Sequence, residues 1–317
     1  MAVYTEVSRA EAAALLRRLN LGALTDLRGI AGGIENTNYF VDAMHDGQTR
    51  HYVLTLFERL TCSQLPFYLY LMQHLAQKGI PVPEPAADAG GDVLHTVQGK
   101  PAAVVNKLLG ASELAPTAGH CAQVGAMLAR MHLAGQDYPR EQPNLRGLPW
   151  WNETVPVVLP HVTPDQADLL RSELEQQNQW AQTAAYQSLP RGPIHADLFR
   201  DNVMFHRGEL SGFFDFYFAG CDTWLFDLAV CLNDWCIDLN SGAPHPTRTA
   251  AMRQAYESVR PLTSAEQQFL PAMLRAAALR FWVSRLWDWY LPRAASMLKP
   301  HDPTHFERVL RHRLQTP

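Results

Sequence analysis

The sequence predicts an α+β protein of two lobes, a small mainly β lobe over residues 1–103 and a larger mainly α lobe over residues 104–317. Three observations support that division. Short runs of β-branched and aromatic residues, punctuated by glycine, crowd the N-terminal part of the chain. From about residue 117 onward the apolar residues recur instead at helical spacing. A length of 317 residues, with 47% apolar and 18% charged, suits a globular chain with a sizeable core and excludes a disordered one.

The elements follow in order. "SRAEAAALLRRL" spaces Ala and Leu for a helix behind Ser8, with Glu11 placed to complete a capping box. "LRGIAGGIENTNYFVDAM" reads as strand, glycine turn and strand, and "RHYVLTLFE" as a third strand of a small antiparallel sheet. "LPFYLYLMQHLAQKGI" is a helix ended by Gly79, and "PVPEPAADAGGDVL" is a turn-rich connection to a hairpin whose last strand is "PAAVVNKLL". The lobes join near residues 104 to 110. Four long helices are predicted beyond, in "AGHCAQVGAMLARMHLA", "PDQADLLRSELEQQNQWAQTAA", "SAEQQFLPAMLRAAALRFWVSRLWDWYL" and "DPTHFERVLRHRL".

A net charge of −4 supplies no global basic field, so neither nucleic acid nor an anionic membrane is an expected partner. No run of eighteen apolar residues and no signal-type N-terminus is present, which predicts a soluble cytoplasmic protein. Cys62, Cys121, Cys221, Cys231 and Cys236 are odd in number and form no CxxC pair, so buried reduced thiols are expected.

The chemistry concentrates in "GPIHADLFRDNVMFHRGELSGFFDFYF". His195, Asp197 and Asn202 fit H-x-D-x-x-x-x-N, and a hairpin return leads to Asp215 thirteen positions beyond Asn202. That is the acid layout of kinase-type phosphoryl transfer, in a protein-kinase-like two-lobe fold. Asp197 would orient the acceptor hydroxyl and take its proton, with His195 supporting the loop by hydrogen bonds. Asn202 and Asp215 would hold Mg2+ against the phosphates of ATP. Gly29, Gly32 and Gly33 would bring backbone amides close to those phosphates, and backbone groups of Asn106, Lys107 and Leu108 would meet the adenine. Asp201 caps a turn or touches the acceptor. His195, Asp197 and His206 also fit the two His and a carboxylate of a metal oxygenase, although that reading leaves Asn202, Asp215 and the glycine turn unexplained.

Two absences narrow the acceptor. The third strand, "YVLTLFE", carries Thr55 where protein kinases carry a phosphate-binding Lys, and the helix after it has no acidic residue to pair with one. Arg28 or Arg59 would then share the phosphates with the glycine turn. "GCDTWLFDLAVCLNDW" turns almost at once into a helix, leaving no room for an activation loop, so a small-molecule acceptor is expected.

On "IHADLFRDN", "GFFDF" and "FDLAV" the chain resembles the aminoglycoside phosphotransferase and choline kinase superfamily. "GIENTNYFV", "YVLTLFE", "LPFYLYLMQHL", "CLNDWC" and "ALRFWVSRLWDW" make it most similar to the homoserine kinase branch of that superfamily, over nearly the whole chain. That resemblance implies transfer of phosphate from ATP to L-homoserine, a step in threonine biosynthesis. Such an acceptor needs a cationic fork for its carboxylate, and Arg280 and Arg285 are the candidates, with Asp288 near Arg285. Asn233 and Asp234 are further candidates for acceptor contacts. His132 is expected to pack behind the catalytic loop and Asp227 to steady it. A kinase for another small alcohol, of the choline, methylthioribose or aminoglycoside type, and a non-catalytic nucleotide-binding module are the competing readings.

Overall fold

The first helix, α1 (Arg9–Arg18), starts at the capping box that the sequence predicts: the Ser8 hydroxyl accepts from the Glu11 N–H, and the Glu11 carboxylate accepts from the Ser8 N–H. The computed structural model describes residues 4–30, 36–291 and 301–315, and it divides into two compact units at Leu109 and Gly110. The first unit continues with β1 (Ala23–Gly29), β2 (Asn36–His45), β3 (Gln48–Phe57), α2 (Leu65–Gln77), β4 (His95–Val97) and β5 (Lys100–Asn106). The strands form one antiparallel sheet in the order β1-β2-β3-β5-β4. Strand β5, which a division at residue 103 would split, lies whole within this unit because it pairs along β3.

Asp46-Gly47 and Gln98-Gly99 all hold positive φ, as two-residue hairpin turns require. Alternation along the strands then sorts the two faces. Tyr39, Val41, Ala43, Leu54 and Leu56 pack beneath Leu15 and Leu16 of α1. Asn38, Phe40 and Thr55 take the opposite face, where Asn38 pairs with Thr55 across the ladder.

The second unit holds α3 (Ala118–Ala134), α4 (Leu148–Val158), α5 (Pro164–Ala181), α6 (Ala184–Gln187), β6 (Arg191–Ile194), β7 (Val203–His206), β8 (Glu209–Phe213), β9 (Gly220–Thr223), α7 (Trp224–Trp235), α8 (Pro246–Val259), α9 (Ser264–Tyr290) and α10 (Thr304–Gln315). β6 pairs with β9 and β7 with β8, both antiparallel, and the loop from β6 to β7 carries residues 195–202. Strand β9 stands where the sequence suggested an early helix. The Thr223 hydroxyl accepts from the Phe226 N–H and sets the start of α7 one residue later. Every residue of α7 is buried, so this helix forms the floor on which the loop rests. Gly125 in α3 lets α8 approach closely, since a Cβ there would lie 2.3 Å from the Met252 carbonyl oxygen. Cys121, Cys231 and Cys236 are buried thiols as expected, whereas Cys62 is exposed and Cys221 half-buried.

Candidate active site

The loop between β6 and β7 is held residue by residue. The His195 and Ala196 N–H groups donate to the two oxygens of Asp227, each at 2.8 Å, which fixes Ala196 in the left-handed region at φ 63. His195 Nε2 donates to the Phe214 carbonyl at 2.8 Å, and its Nδ1 accepts from the Asp197 N–H at 3.3 Å. These bonds require one neutral tautomer, and burial accordingly lowers the His195 pKa. His195 therefore orients the loop and is not a proton carrier.

Further along, Trp235 Nε1 donates to the Leu198 carbonyl at 3.0 Å, and the Phe199 ring packs 4.4 Å from that of Phe281. Buried Arg200 donates to Asp234 from its N–H at 2.8 Å and its Nε at 3.1 Å, and reaches the Leu114 carbonyl through Nη1. Ser112 Oγ donates to the Asp201 carbonyl at 3.0 Å. The Asn202 amide closes the loop by donating from Nδ2 to the Asp197 carbonyl at 2.8 Å.

Asp197 is half-buried, and its pKa is pushed up to about 8. Burial is the largest cause; Arg280 opposes it, while the charges of Asp215, Asp201 and Asp234 add to it. Asp215 ends the β8 return in the left-handed conformation at φ 65. Asn202 Oδ1 and the Asp215 carboxylate are oxygen donors of the kind that would suit a hard divalent cation completing its shell with water and phosphate oxygens. A cation there would also offset the crowding of carboxylates. Among the described residues no three His, Cys, Asp or Glu side chains gather as a metal cage, so the oxygenase arrangement around His195 and His206 does not form.

Arg280 is 4% exposed, and its Nε has no hydrogen-bond partner. Its guanidinium lies 3.9 Å from the Phe281 ring centroid and 5.3 Å from that of Phe218, and Nη1 donates to Ser284 Oγ at 3.2 Å. Burial lowers its pKa to about 10, with Asp197 the chief opposing charge, so it stays cationic near neutral pH. Arg285 stacks 4.7 Å from the Phe306 ring, and burial lowers its pKa while Asp234 and Asp197 oppose. Neither arginine has a carboxylate within ion-pair distance among the described residues. Arg146, which stacks 4.5 Å from Trp150 and 6.0 Å from Phe218, adds a third positive charge beside Arg280. No motif marks Arg146 in the sequence; only the fold brings it here.

Two acceptor candidates go elsewhere. Asn233 is fully buried, donating to the Leu274 carbonyl at 2.7 Å and accepting from Arg313 Nε at 2.9 Å, so both ends of its amide are used in packing α7. Asp234 is tied to Arg200 and serves to hold the loop. Exposed Asp201 remains available.

In the first unit, Gly29 closes β1 opposite Tyr39, while Gly32 and Gly33 lie outside the described residues. The Asn106 N–H donates to the Glu84 carbonyl and the Lys107 N–H to that of His51, so among this trio the Leu108 N–H and the carbonyls are what a nucleotide base could use. Arg28 is paired with Asp26 at 2.7 Å and Asp42 at 3.4 Å, both at the surface. The Thr55 hydroxyl donates to Asn38 Oδ1 at 2.7 Å.

A two-unit fold whose helical part carries this acid loop defines a phosphotransferase. Residues 26–262 match the model of the phosphotransferase enzyme family, and the chain belongs to that family. Its similarity runs deeper to particular relatives. It is 68% identical over 317 residues to a homoserine kinase of Polaromonas naphthalenivorans, covering 100% of this chain and 99% of the other. It is 60% identical to a homoserine kinase of Cupriavidus necator, covering 99% and 96%. Among solved structures the fold matches amicoumacin kinase in complex with AMP-PNP and Ca2+, at TM-score 0.68 and 18% identity over 98% of this chain and 95% of that one. It also matches choline kinase from Cryptosporidium parvum, at TM-score 0.63 and 13% identity over 92% and 88%.

Proposed function

We infer that this chain is a homoserine kinase, moving the γ-phosphoryl group of ATP to the hydroxyl of L-homoserine to give O-phospho-L-homoserine and ADP. Its relatives at 68% and 60% identity, aligned end to end, bear that name. The observation that carries the acceptor assignment is the pair Arg280 and Arg285, two guanidiniums without carboxylate partners among the described residues, each in electrostatic contact with Asp197. Holding an unpaired buried cation costs several kcal/mol even after the protein relaxes around it, so its presence beside a catalytic loop fits an anionic substrate group that completes the pair. An α-amino acid carboxylate has the right charge. Choline, a cation, would be repelled.

In this reading Asp197 accepts a hydrogen bond from the acceptor hydroxyl and takes its proton as the new O–P bond forms and the bond to the ADP oxygen breaks. Asn202 and Asp215 would hold magnesium, which would neutralise phosphate charge and counter the carboxylate repulsion on Asp197. The exposed Asp201 carboxylate is the acid this reading assigns to the acceptor ammonium group. Gly29, Gly32 and Gly33 remain the proposed phosphate amides, and the segment around Leu108 the proposed adenine contact.

The test is ADP release by the purified protein with Mg-ATP and one acceptor at a time: L-homoserine, D-homoserine, L-serine, L-threonine, choline, methylthioribose and kanamycin. Stimulation by L-homoserine far above the others is expected. Equal or greater stimulation by choline or kanamycin would keep the kinase and overturn the acceptor.

A further inference from the structure

Behind the loop runs a buried polar chain that phosphoryl transfer does not itself use. Glu266, at the start of α9, forms an ion pair with Arg260. Arg260 Nε donates to the Tyr256 hydroxyl at 2.9 Å. That hydroxyl lies 2.8 Å from His132 Nδ1, and His132 Nε2 lies 3.1 Å from Asp227 Oδ2. His132, Tyr256, Asp227 and Glu266 have no exposed surface, and Arg260 is 7% exposed. The chain draws on α9, α8, α3 and α7 in turn and ends at the two backbone N–H groups that precede Asp197.

Only one arrangement of protons satisfies every member. Arg260 can only donate, so the Tyr256 oxygen accepts from it and turns its own hydrogen to His132 Nδ1. His132 is then neutral with its hydrogen on Nε2, facing an Asp227 carboxylate that can only accept. Burial holds the His132 pKa below its ordinary value, in keeping with that neutral ring. Packing reinforces the direction: His132 stacks on Trp224 at 5.7 Å between ring centroids with planes 7° apart, and Arg260 covers the other aromatic surfaces at 4.9 Å from Trp224 and 5.2 Å from Tyr256.

We propose that Tyr256 is a positioning residue for catalysis: by fixing the tautomer of His132 it orients the Asp227 carboxylate, and Asp227 in turn holds His195 and Ala196 so that Asp197 points at the acceptor. Without the phenolic hydrogen, His132 can place its hydrogen on Nδ1 and present a lone pair to Asp227. Two acceptors would then face each other in a buried site, and Asp227 would turn away from one of the loop amides. Ala196 sits at a positive φ that a non-glycine residue adopts at a disadvantage, so the loop would relax at that point.

The proposal rests on Asp197 being the base and not on which alcohol is phosphorylated. Tyr256→Phe keeps the ring and its packing while removing one oxygen. The expected result is a fall in kcat of about tenfold, with the KM values for ATP and acceptor within about twofold of the parent, because substrate groups are untouched while the base is misaimed. Hydrogen exchange of the peptide spanning residues 192–202 should accelerate by a similar factor, a readout independent of turnover. His132→Gln, whose amide nitrogen can donate to Asp227 without help from Tyr256, should make the Tyr256→Phe change nearly silent in the double variant. An unchanged kcat in folded Tyr256→Phe, unchanged exchange of the loop, or a fall in Tm alone would overturn the positioning role. A parent protein that phosphorylates no acceptor would instead defeat the kinase reading, and the exchange measurement would still judge the loop.

Discussion

Arg280→Met separates binding from stability because the two should move in opposite directions. Arg280 is 4% exposed, its Nε is unpartnered, and among the described residues its guanidinium hydrogen-bonds only the Ser284 side chain. Methionine keeps the stem against Phe281 and Phe218 without a charge to desolvate, so stability should hold or rise, by up to about 1 kcal/mol. Acceptor recognition should suffer. Two charge-assisted hydrogen bonds to a carboxylate contribute together about 3 kcal/mol, on the order of a hundredfold in kcat/KM. Arg280 is also the cation that opposes the raised pKa of Asp197, so its loss raises that pKa further and leaves less of the carboxylate ionised, for every acceptor alike. The comparison that cancels this second effect is L-homoserine against 3-amino-1-propanol, the same alcohol without its carboxylate. The parent should favour L-homoserine by roughly two orders of magnitude or more, and Arg280→Met should erase most of that preference while leaving the ATP KM unchanged. Full retention of the preference in a folded Arg280→Met protein would refute the carboxylate anchor.

Three other outcomes are expected. Asp197→Asn should cut turnover by orders of magnitude with nucleotide affinity nearly intact, checked by ADP release beside calorimetric titration of an ATP analogue; equal turnover would remove Asp197 as the base. Thr55→Ala breaks the hydroxyl's bond to Asn38, so stability should drop by about 1 kcal/mol in urea denaturation while the ATP KM changes little, and a large rise in KM would show that Thr55 serves the phosphates. The contributions of His132 and Asp227 to stability should be lost in acid in two stages. His132 has a folded pKa below its ordinary 6.5, so the unfolded chain takes up the proton first as pH falls through that value. Burial opposes ionisation of Asp227, but the His132 bond and the loop amides outweigh it and hold its pKa below 3.8, adding a second loss under about pH 4. Asp197, whose pKa is raised, and the other buried histidines titrate in the same window, so the readout is the difference between two proteins: the change in urea midpoint between pH 7.5 and pH 5 should shift upward in His132→Gln relative to the parent, and an identical change in the two would contradict the neutral buried ring.

How much of this was legible in the sequence depends on whether the information was local. Helix α3 was readable from end to end because its apolar spacing and terminal residues are properties of consecutive positions. The capping box at Ser8 and the spacing of His195, Asp197 and Asn202 are local for the same reason. Asn233 was misread because its neighbours in "CLNDWC" look like a polar interruption. Only the packing of α7 against Leu274 and Arg313 shows an amide fully spent inside the core. Strand β9 escaped notice because four residues, "GCDT", acquire strand character only by pairing with β6. Arg146 and Tyr256 reach the site from segments 51 and 59 residues from Asp197, with no periodicity to mark them. Long-range side-chain convergence leaves little trace in one sequence.

The central claim is transfer of phosphate to the hydroxyl of an amino-acid alcohol by the Asp197 loop. Phosphorus NMR of a reaction containing Mg-ATP and L-homoserine tests it most directly, since the ester is identified by its coupling to the adjacent methylene protons. A phosphomonoester resonance growing in step with ADP, and lost in Asp197→Asn, is the expected result. ADP accompanied only by inorganic phosphate, or an ester formed equally well by Asp197→Asn, would contradict it.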